Sequence, residues 1–114
     1  MKKKDIIKKS DEFTNIIKKG RKVKNNYYSI YYIENKKQNR YGITVPTKTG
    51  NAVCRNKLKR QIKNIIDKND VQKAYDYVII IKKEIINLSY QEKEKELLKL
   101  FKKIGANIWK RKYY

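Results

Sequence analysis

Hydrophobic side chains recur with a helical period near the start of the chain. Phe13, Ile16 and Ile17 fall on one face of a helix, and charged residues occupy most of the remaining positions. Ser10 is predicted to cap the N-terminus of this helix, and Gly20 is predicted to end it. The pattern therefore predicts a first amphipathic helix with one buried face.

Three short segments have the composition of β-strands. Residues 27–33 are rich in tyrosine and isoleucine, and a polar turn over 34–40 separates them from a second strand at about 41–45. Pro46 has no N–H group to donate to a sheet, so it is predicted to end that strand. Residues 77–81 are apolar on both faces, which indicates an interior strand.

Two further helices are predicted. Gly50 and Asn51 precede a helix over roughly 52–67, and Ser89 with Glu92 forms a capping box at the start of the last helix. The apolar stripe of that last helix consists of Leu97, Phe101, Ile104 and Ile108.

The predicted order α-β-β-α-β-α indicates an α+β fold in which helices pack on a small sheet of three to four strands. The chain has 114 residues, the length of one ordinary domain. We therefore expect residues 1–114 to form a single domain, with residues 109–114 as a basic aromatic tail.

Positive charge is the feature of composition that changes this picture most. Lysine and arginine total 31 against 11 aspartate and glutamate residues, for a formal net charge of +20. Self-repulsion of this size destabilises a compact domain unless a polyanion neutralises it. The chain has no long apolar stretch and no signal peptide, and Cys54 is its only cysteine. These features predict a cytoplasmic protein with a polyanionic partner and no membrane contact.

The sequence offers little support for catalysis or metal binding. It contains no histidine, which is the commonest general acid–base residue. Its one acidic cluster, Glu92, Glu94 and Glu96, is interleaved with lysines on a predicted helix, so ion pairs are favoured over a metal site. Cys54 lies near the apolar side of its helix and is predicted to be a packed thiol. We expect no catalytic residue and no metal ligand in this chain.

The stretch from residue 35 to residue 66 carries nine cations and no acid. A solvated helix face usually mixes charges of both signs to gain pairs four residues apart. Here Arg55 and Lys59, and then Lys59 and Lys63, place like charges at that spacing. Phosphate groups between these side chains would relieve the repulsion, so this surface is predicted to bind RNA or DNA.

Two neighbouring features extend this surface. The loop over 47–51 offers a glycine, hydroxyl groups and Lys48 to an anion at the start of the second helix, although its spacing is not that of a nucleotide-binding P-loop. On the first strand, Tyr28 and Tyr31 face opposite sides. An aromatic ring outside the core would let unstacked bases lie on it, whereas packing with the hydroxyl in water explains any single tyrosine equally well.

The segment from Gly50 to Arg60, with Arg55-Asn56-Lys57 inside it, closely resembles the RNR signature of the bacterial ribonuclease P protein family. The likeness extends over nearly the whole chain. It implies an RNA-binding domain with that family's fold, including a left-handed βαβ crossover. The general rule for such crossovers predicts a right-handed one.

The resemblance implies a protein subunit whose RNA partner does the chemistry. In the family, ribonuclease P RNA removes the 5′ leader of precursor tRNA by endonucleolytic cleavage, with Mg²⁺ held mainly by the RNA. The resemblance also implies a leader-binding cleft between the first helix, the second helix and the sheet, which carries Phe13 and Tyr31. The RNA contacts that it implies are Lys48, Asn51, Arg55, Asn56, Lys57, Lys59, Arg60 and Lys63.

Three positions depart from the family pattern. Lys57 stands where the signature usually has its second arginine, so a planar two-pronged contact becomes a point charge. Ile17 occupies a position that is often aromatic, which weakens one stacking site for the leader. Pro46-Thr47 replaces a Ser-Lys-like pair and leaves Lys48 as the loop's cation.

A structural ribosomal RNA-binding protein is the main alternative, and a nucleoid DNA-binding protein is the next. Charge alone does not separate these classes from a ribonuclease P subunit. Identifying the RNA that is recovered with the tagged protein from cells would distinguish these classes. Oligomerisation of the protein is not predicted.

Overall fold

A computed structural model describes residues 5–35, 38–69 and 74–113 of the chain. The described residues form three helices and a four-stranded mixed sheet in the order α-β-β-β-α-β-α. The α+β class predicted from the sequence is confirmed. The helices are α1 (Ser10–Lys19), α2 (Ala52–Asp67) and α3 (Tyr90–Tyr113), and the strands are β1 (Arg21–Lys24), β2 (Tyr28–Glu34), β3 (Arg40–Thr44) and β4 (Tyr75–Ile81).

The strands lie in the order β1-β2-β4-β3. β1 and β2 form an antiparallel hairpin, β2 pairs antiparallel with β4, and β3 pairs parallel with β4. Because β4 lies between β2 and β3, the predicted interior strand is confirmed. A parallel pair needs a crossover connection, and α2 provides it between β3 and β4.

The predicted order α-β-β-α-β-α is incomplete because it omits β1. This strand is only four residues long, and Val23 is its one apolar residue. Val23 is buried opposite Ile30 of β2, while the three cations of the strand are exposed. Short, charged strands are typical of sheet edges, where pairing with one neighbour rather than an apolar pattern forms the strand.

Alternation along the strands divides their side chains between two layers. Tyr28, Ile30 and Tyr32 of β2 belong to the main core, which α2 and α3 cover. Tyr31 and Ile33 point to the opposite face and belong to a smaller cluster with α1. The predicted division of this strand into two faces is confirmed, and helices pack against both.

The N-terminus of α1 differs from the prediction. The helix begins at Ser10 itself, so Ser10 is not its N-cap. The cap position is Lys9, whose carbonyl oxygen accepts a hydrogen bond from the Phe13 N–H at 3.2 Å and closes the first turn one residue earlier. Lys9 makes no side-chain capping bond. Asp11 and Glu12 lie in the first turn, where negative charge favours the positive end of the helix dipole.

Gly20 ends α1, as predicted. Its N–H donates to the carbonyl oxygen of Ile16 at 2.7 Å. A Cβ atom at this position would lie 2.5 Å from that oxygen and 2.9 Å from the carbonyl oxygen of Tyr32. Glycine is therefore needed because the chain passes against the end of β2 as it turns from α1 into β1.

An ion-pair cluster ties α1 to the sheet. Arg40 at the start of β3 contacts Glu12 of α1 at 2.7 Å and Asp76 of β4 at 2.8 Å, with a second hydrogen bond to Asp76 at 2.9 Å. Asp76 is only 6% exposed, and the side-chain amide of Asn35 also donates to it. The cluster joins three elements at one end of the α1 face.

The capping box that begins α3 is confirmed. The Ser89 hydroxyl oxygen accepts the Glu92 N–H at 3.2 Å, and the Glu92 carboxylate accepts the Ser89 N–H at 2.9 Å. The helix continues through Tyr113, so residues 109–113 extend α3 instead of forming a separate tail, and Tyr114 lies outside the described residues. No proline follows Gly105, and Ala106, Lys110 and Arg111 have good helix propensity, which favours the extension. Of the predicted apolar stripe, Leu97, Phe101 and Ile104 are buried and Ile108 is half-buried.

Candidate nucleic-acid interface

One side of α2 is fixed in the main core and the other faces outward. Leu58, Ile62 and Ile65 are buried as predicted, and Ile66 is buried with them. The outward side carries the exposed residues Asn56, Lys57 and Arg60, with Arg55, Lys59 and Lys63 half-buried at its borders. These six residues, together with Lys48 and Asn51 just before the helix, are called the basic surface below.

The cations of the basic surface have no acidic partners. In the described part of the chain, ion pairs involve Arg40, Lys68 and Lys99, and none involves the six cations of this surface. Like charges four residues apart destabilise a helix by a few tenths of a kcal/mol per pair, roughly 0.2–0.5 kcal/mol. The predicted accumulation of unbalanced positive charge on α2 is therefore present in the folded chain.

Asn51 has a structural task as well as a place on this surface. Its side-chain oxygen accepts the Cys54 N–H at 2.9 Å, which makes Asn51 the N-cap of α2. Cys54 is half-buried against the main core, in agreement with a packed thiol. A Cβ atom at Gly50 would lie 3.1 Å from the Cys54 sulfur, so the loop passes close to the first turn.

Two polar atoms near the start of α2 are buried without a hydrogen-bond partner among the described residues. They are Nε of Arg55 and Oγ1 of Thr49. Thr49 ends a short 3₁₀ turn, Thr47–Thr49, on which Lys48 is exposed. An unsatisfied buried polar group costs about 1–3 kcal/mol, so these atoms favour a ligand that brings acceptors to this end of α2.

Lys93 of α3 adds positive charge behind α2. It is 9% exposed, and its ammonium group donates to the Gln61 side chain at 2.9 Å. Burial lowers the pKa of Lys93, and the positive charge of Lys57 lowers it further. The sequence suggests that Lys93 pairs with the glutamates beside it in α3, but the helix directs it across to α2. Only the three-dimensional packing of the two helices reveals this neighbour.

The neighbouring glutamates form ion pairs, as predicted, but not with the lysines interleaved between them. Glu94 contacts Lys68 at 3.3 Å and accepts a hydrogen bond from Asn69, while Glu96 contacts Lys99 at 3.2 Å. These contacts lower the pKa of Glu94, with the Asn69 hydrogen bond as the main cause. The acidic cluster is thus engaged with side chains of the protein.

Phe13 and Tyr31 come together on the α1 face of the sheet. Both are half-buried members of the smaller cluster. The Phe13 ring lies against Gly42 of β3, where a Cβ atom would be 2.5 Å from the end of the ring. Tyr31 has the Lys22 ammonium group 5.2 Å from its ring centroid, which is within the range of a cation–π contact. The Phe13 ring therefore packs on β3, and Tyr31 combines a ring with a nearby cation; the contact of both with a leader stays a prediction.

Beyond Tyr31, the strand register defines a strip that continues across the same face. Lys24 is opposite Ser29, Ser29 is opposite Ile80, and Ile80 is opposite Thr44. Lys24 and Thr44 are exposed and Ile80 is half-buried. This strip, with Lys22 and Tyr31 beside it, is called the sheet strip below. It ends at Thr44, from which the chain enters the loop that carries Lys48.

The predicted cleft is arranged differently from the expectation. The buried residues of α2 belong to the main core on one face of the sheet, whereas α1, Phe13 and Tyr31 belong to the other. α2 therefore does not run along the α1 face, and the sheet separates the two helices. The sheet strip ends at Thr44 in β3, and the chain continues from there through the loop of Lys48 into α2. β1, absent from the predicted elements, supplies the cations Lys22 and Lys24.

Not every cation of the acid-free stretch is available at the surface. Arg40 is held by Glu12 and Asp76, as described above. Lys36 and Lys37 lie outside the described residues. Among the residues that the structure describes, no group of three histidine, cysteine or acidic side chains is placed to hold a metal ion. No described helix is long and apolar enough to span a bilayer.

The chain is similar in sequence to one protein family over most of its length. The family model described as Ribonuclease P matches residues 1–105. A ribonuclease P protein component of Bacillus cereus is 38% identical over 109 residues, covering 92% of this chain and 95% of the relative. The corresponding protein of Bacillus mycoides is 40% identical over 109 residues, with the same coverage of both proteins.

The fold is similar to solved structures of the same family. An RNase P protein mutant of Staphylococcus aureus, one with defective mRNA degradation activity, superposes with a TM-score of 0.80 at 33% identity, covering 91% of this chain and 90% of the other. The RNase P protein from Thermotoga maritima superposes with a TM-score of 0.76 at 31% identity, covering 81% of this chain and 90% of the other. The similarity in sequence and the similarity in fold therefore each extend over most of the chain.

Proposed function

This chain belongs to the ribonuclease P protein family, and on that premise we propose that its basic surface binds the ribonuclease P RNA while its sheet strip holds the 5′ leader of precursor tRNA. Ribonuclease P is the Mg²⁺-dependent ribonucleoprotein endonuclease that processes the 5′ end of tRNA, and this protein is its protein component. Its RNA partner is the ribonuclease P RNA. We further propose that it works in the cytoplasm.

The basic surface carries the first part of this proposal. Six cations lie on or just before one helix without a carboxylate partner in the described residues, and two buried polar atoms beside them lack acceptors. Phosphate oxygens supply both the negative charge and the acceptors. Arg55 and Lys57 flank Asn56, so its exposed amide lies between two cations, where it would contact a base or ribose edge.

The sheet strip supports the second part. A single strand of RNA needs cations for its backbone and a flat surface for its bases. Lys22 and Lys24 lie on one edge of the strip, the Tyr31 ring lies beside Lys22, and Thr44 marks the edge from which the chain continues to Lys48. A leader lying across the strip would therefore reach the basic surface at the loop.

Mg²⁺ is proposed to be held mainly by the RNA. The support is the lack of a suitable cluster of ligands among the described residues, together with the use of Glu92, Glu94 and Glu96 in capping and ion pairs within the protein. Hard cations such as Mg²⁺ prefer oxygen ligands, which RNA phosphates provide. The protein contributes positive charge that reduces repulsion between two RNAs.

Reconstitution with a matching ribonuclease P RNA tests the proposed function. At low Mg²⁺, the protein should increase cleavage of precursor tRNA by the RNA, and the protein alone should cleave nothing. Glu92→Gln and Glu96→Gln should leave the stimulation unchanged. Cleavage by highly purified protein alone that is lost in these two variants would contradict the division of labour.

A further inference from the structure

A cavity of about 650 Å³ lies where the C-terminal part of α3 passes the junction between α1 and β1. Its lining includes Lys19 and Arg21 from that junction, Tyr32 and Tyr75 from the sheet, and Asn107 and Arg111 from α3. It is called the corner cavity below. No residue of the basic surface and no residue of the sheet strip lines it, so the sites already described do not include it.

The charges around the corner cavity are unbalanced. Lys19, Arg21 and Arg111 are exposed, and none of them has an ion-pair partner within the part of the chain that the structure describes. Glu34 is the one acid in the lining, and its carboxylate accepts a hydrogen bond from the Tyr75 hydroxyl at 3.5 Å. Three cations against one acid favour an anionic ligand.

Tyr75 links the anionic and cationic sides of the cavity. Burial raises the pKa of Tyr75, Glu34 raises it further, and the nearby positive charge of Arg111 opposes them. The net direction keeps the hydroxyl protonated and able to donate at neutral pH. Arg111 and Tyr75 line the same cavity, so both can contact one ligand.

The floor of the cavity is polar as well as aromatic. The Asn107 side-chain amide donates to the Tyr32 hydroxyl at 3.5 Å, the outer limit of a hydrogen bond. The rings of Tyr32 and Tyr75 are 6.1 Å apart at their centroids and tilted by 50°. Tyr32 is buried and Tyr75 is half-buried, and both line the cavity. Such a floor offers donors and acceptors to the edge of a base.

We propose that the corner cavity binds one nucleotide of RNA, with its phosphate on Arg21 and Arg111 and its base edge on Asn107 and the tyrosine hydroxyls. The volume is within the range of small-molecule sites, about 300–1,000 Å³. The inference rests on the proposed function, since RNA is the polyanion that this protein meets. The nucleotide comes from an unpaired position in the ribonuclease P RNA or in precursor tRNA, and the experiment distinguishes the two sources.

The test compares two double variants of the full-length protein that remove the same charge. Arg21→Gln with Arg111→Gln alters the cavity, and Lys102→Gln with Lys103→Gln alters exposed cations elsewhere on α3. Affinity is measured twice across a salt series: for the protein with ribonuclease P RNA, and for the reconstituted holoenzyme with precursor tRNA. The cavity variant should weaken one of these two interactions about fivefold and should lower the slope of its log affinity against log salt by about one. The control variant should change neither affinity and neither slope.

Asn107→Ala separates a nucleotide site from diffuse attraction. It removes no charge, so it should weaken the same interaction about two- to threefold without changing the salt slope. The proposal would be overturned if the cavity variant and Asn107→Ala both kept natural affinity for ribonuclease P RNA and, in the holoenzyme, for precursor tRNA. The cavity would then bind another anion, such as an acidic protein segment. Arg60→Gln, measured in parallel, tests the basic surface: if it too binds RNA normally, the proposed function itself has failed.

Discussion

Arg40 and Arg60 belong to the same acid-free stretch of sequence, yet their environments are opposite. Arg40 contacts two carboxylates, one from α1 and one from β4, and holds three elements together. Arg60 is exposed on α2 and has no ion pair among the described residues. The comparison shows that a run without acids does not by itself identify a ligand surface, because distant segments supply carboxylates to some of its cations.

The largest effect on stability is expected at Arg40. Arg40→Met leaves Asp76 buried without its cation, and breaking a buried pair in this way costs about 3–5 kcal/mol. Because Arg40 is about a third exposed, at 29% of its side chain, we expect roughly 2–4 kcal/mol. Urea unfolding at 25 °C followed by circular dichroism measures the change.

Lys102→Met is the matched control for Arg40→Met, because Lys102 is exposed on α3. It should change the free energy of unfolding by no more than about 0.5 kcal/mol. Under conditions where Arg40→Met remains folded, its affinity for ribonuclease P RNA should equal that of the natural protein. A stable Arg40→Met variant with weakened RNA binding would reverse the roles assigned to Arg40 and Arg60.

Arg60→Glu should weaken RNA binding and leave stability unchanged, the opposite of what is expected for Arg40→Met. The free energy of unfolding should stay within about 0.5 kcal/mol of the natural value, since the side chain is exposed and unpaired. Affinity for ribonuclease P RNA should fall about tenfold, with a salt slope lower by about one to two. Filter binding across a salt series measures both, and Lys103→Glu provides the same reversal on α3. Equal losses from the two variants would indicate nonspecific attraction.

A smaller effect is expected from Tyr31→Leu, which keeps an apolar side chain but removes the aromatic ring. Stacking of a base on an aromatic ring is worth about 1–3 kcal/mol, so binding of leader-bearing precursor tRNA by the holoenzyme should weaken about fivefold. Mature tRNA should bind as before. Phe13 is a less informative target because its ring packs against Gly42, so truncation would lower stability.

Tyr90→Leu is the control for Tyr31→Leu. Tyr90 also has a lysine over its ring, Lys68 at 4.7 Å, but lies at the start of α3. This variant should bind precursor and mature tRNA with natural affinities. Should Tyr31→Leu weaken both tRNAs by the same factor, Tyr31 has no part in leader binding.

The smallest effect is expected from Lys57→Arg, which restores the arginine usual in the family signature. A guanidinium group can bind phosphate with two parallel hydrogen bonds, whereas an ammonium group acts as a point charge. Affinity for ribonuclease P RNA should rise about two- to threefold, as measured by titration at fixed salt. A loss of affinity would show that this surface is adapted to lysine.

Local sequence patterns predict an element well when its bounds depend only on residues within that element. The bounds of α2 and the capping box of Ser89 and Glu92 agree with the structure, because each depends on residues close in sequence. The two faces of β2 follow from alternation alone. Charge by itself is compatible with binding to either RNA or DNA. The family resemblance is what identifies RNA as the partner.

The rest depends on contacts between distant residues. β1 has one apolar side chain, and its pairing with β2 is what makes it a strand. The partners of Arg40 and Lys93 come from other elements, so no local pattern reveals them. The same holds for the sheet strip, because the neighbours Lys24, Ser29, Ile80 and Thr44 come from four strands.

We propose that the unpaired cations of α2, rather than net charge, bind the ribonuclease P RNA. The most direct test compares the salt dependence of RNA affinity for two triple variants of equal net charge. One replaces Lys57, Arg60 and Lys63 with glutamine, and the other replaces Lys95, Lys102 and Lys103. The first should lower the slope of log affinity against log salt by about two to three, at roughly 0.7–0.9 per phosphate contact, while the second keeps the natural slope. Equal slopes for the two variants would show that net charge, and not the position of these cations on α2, determines RNA binding.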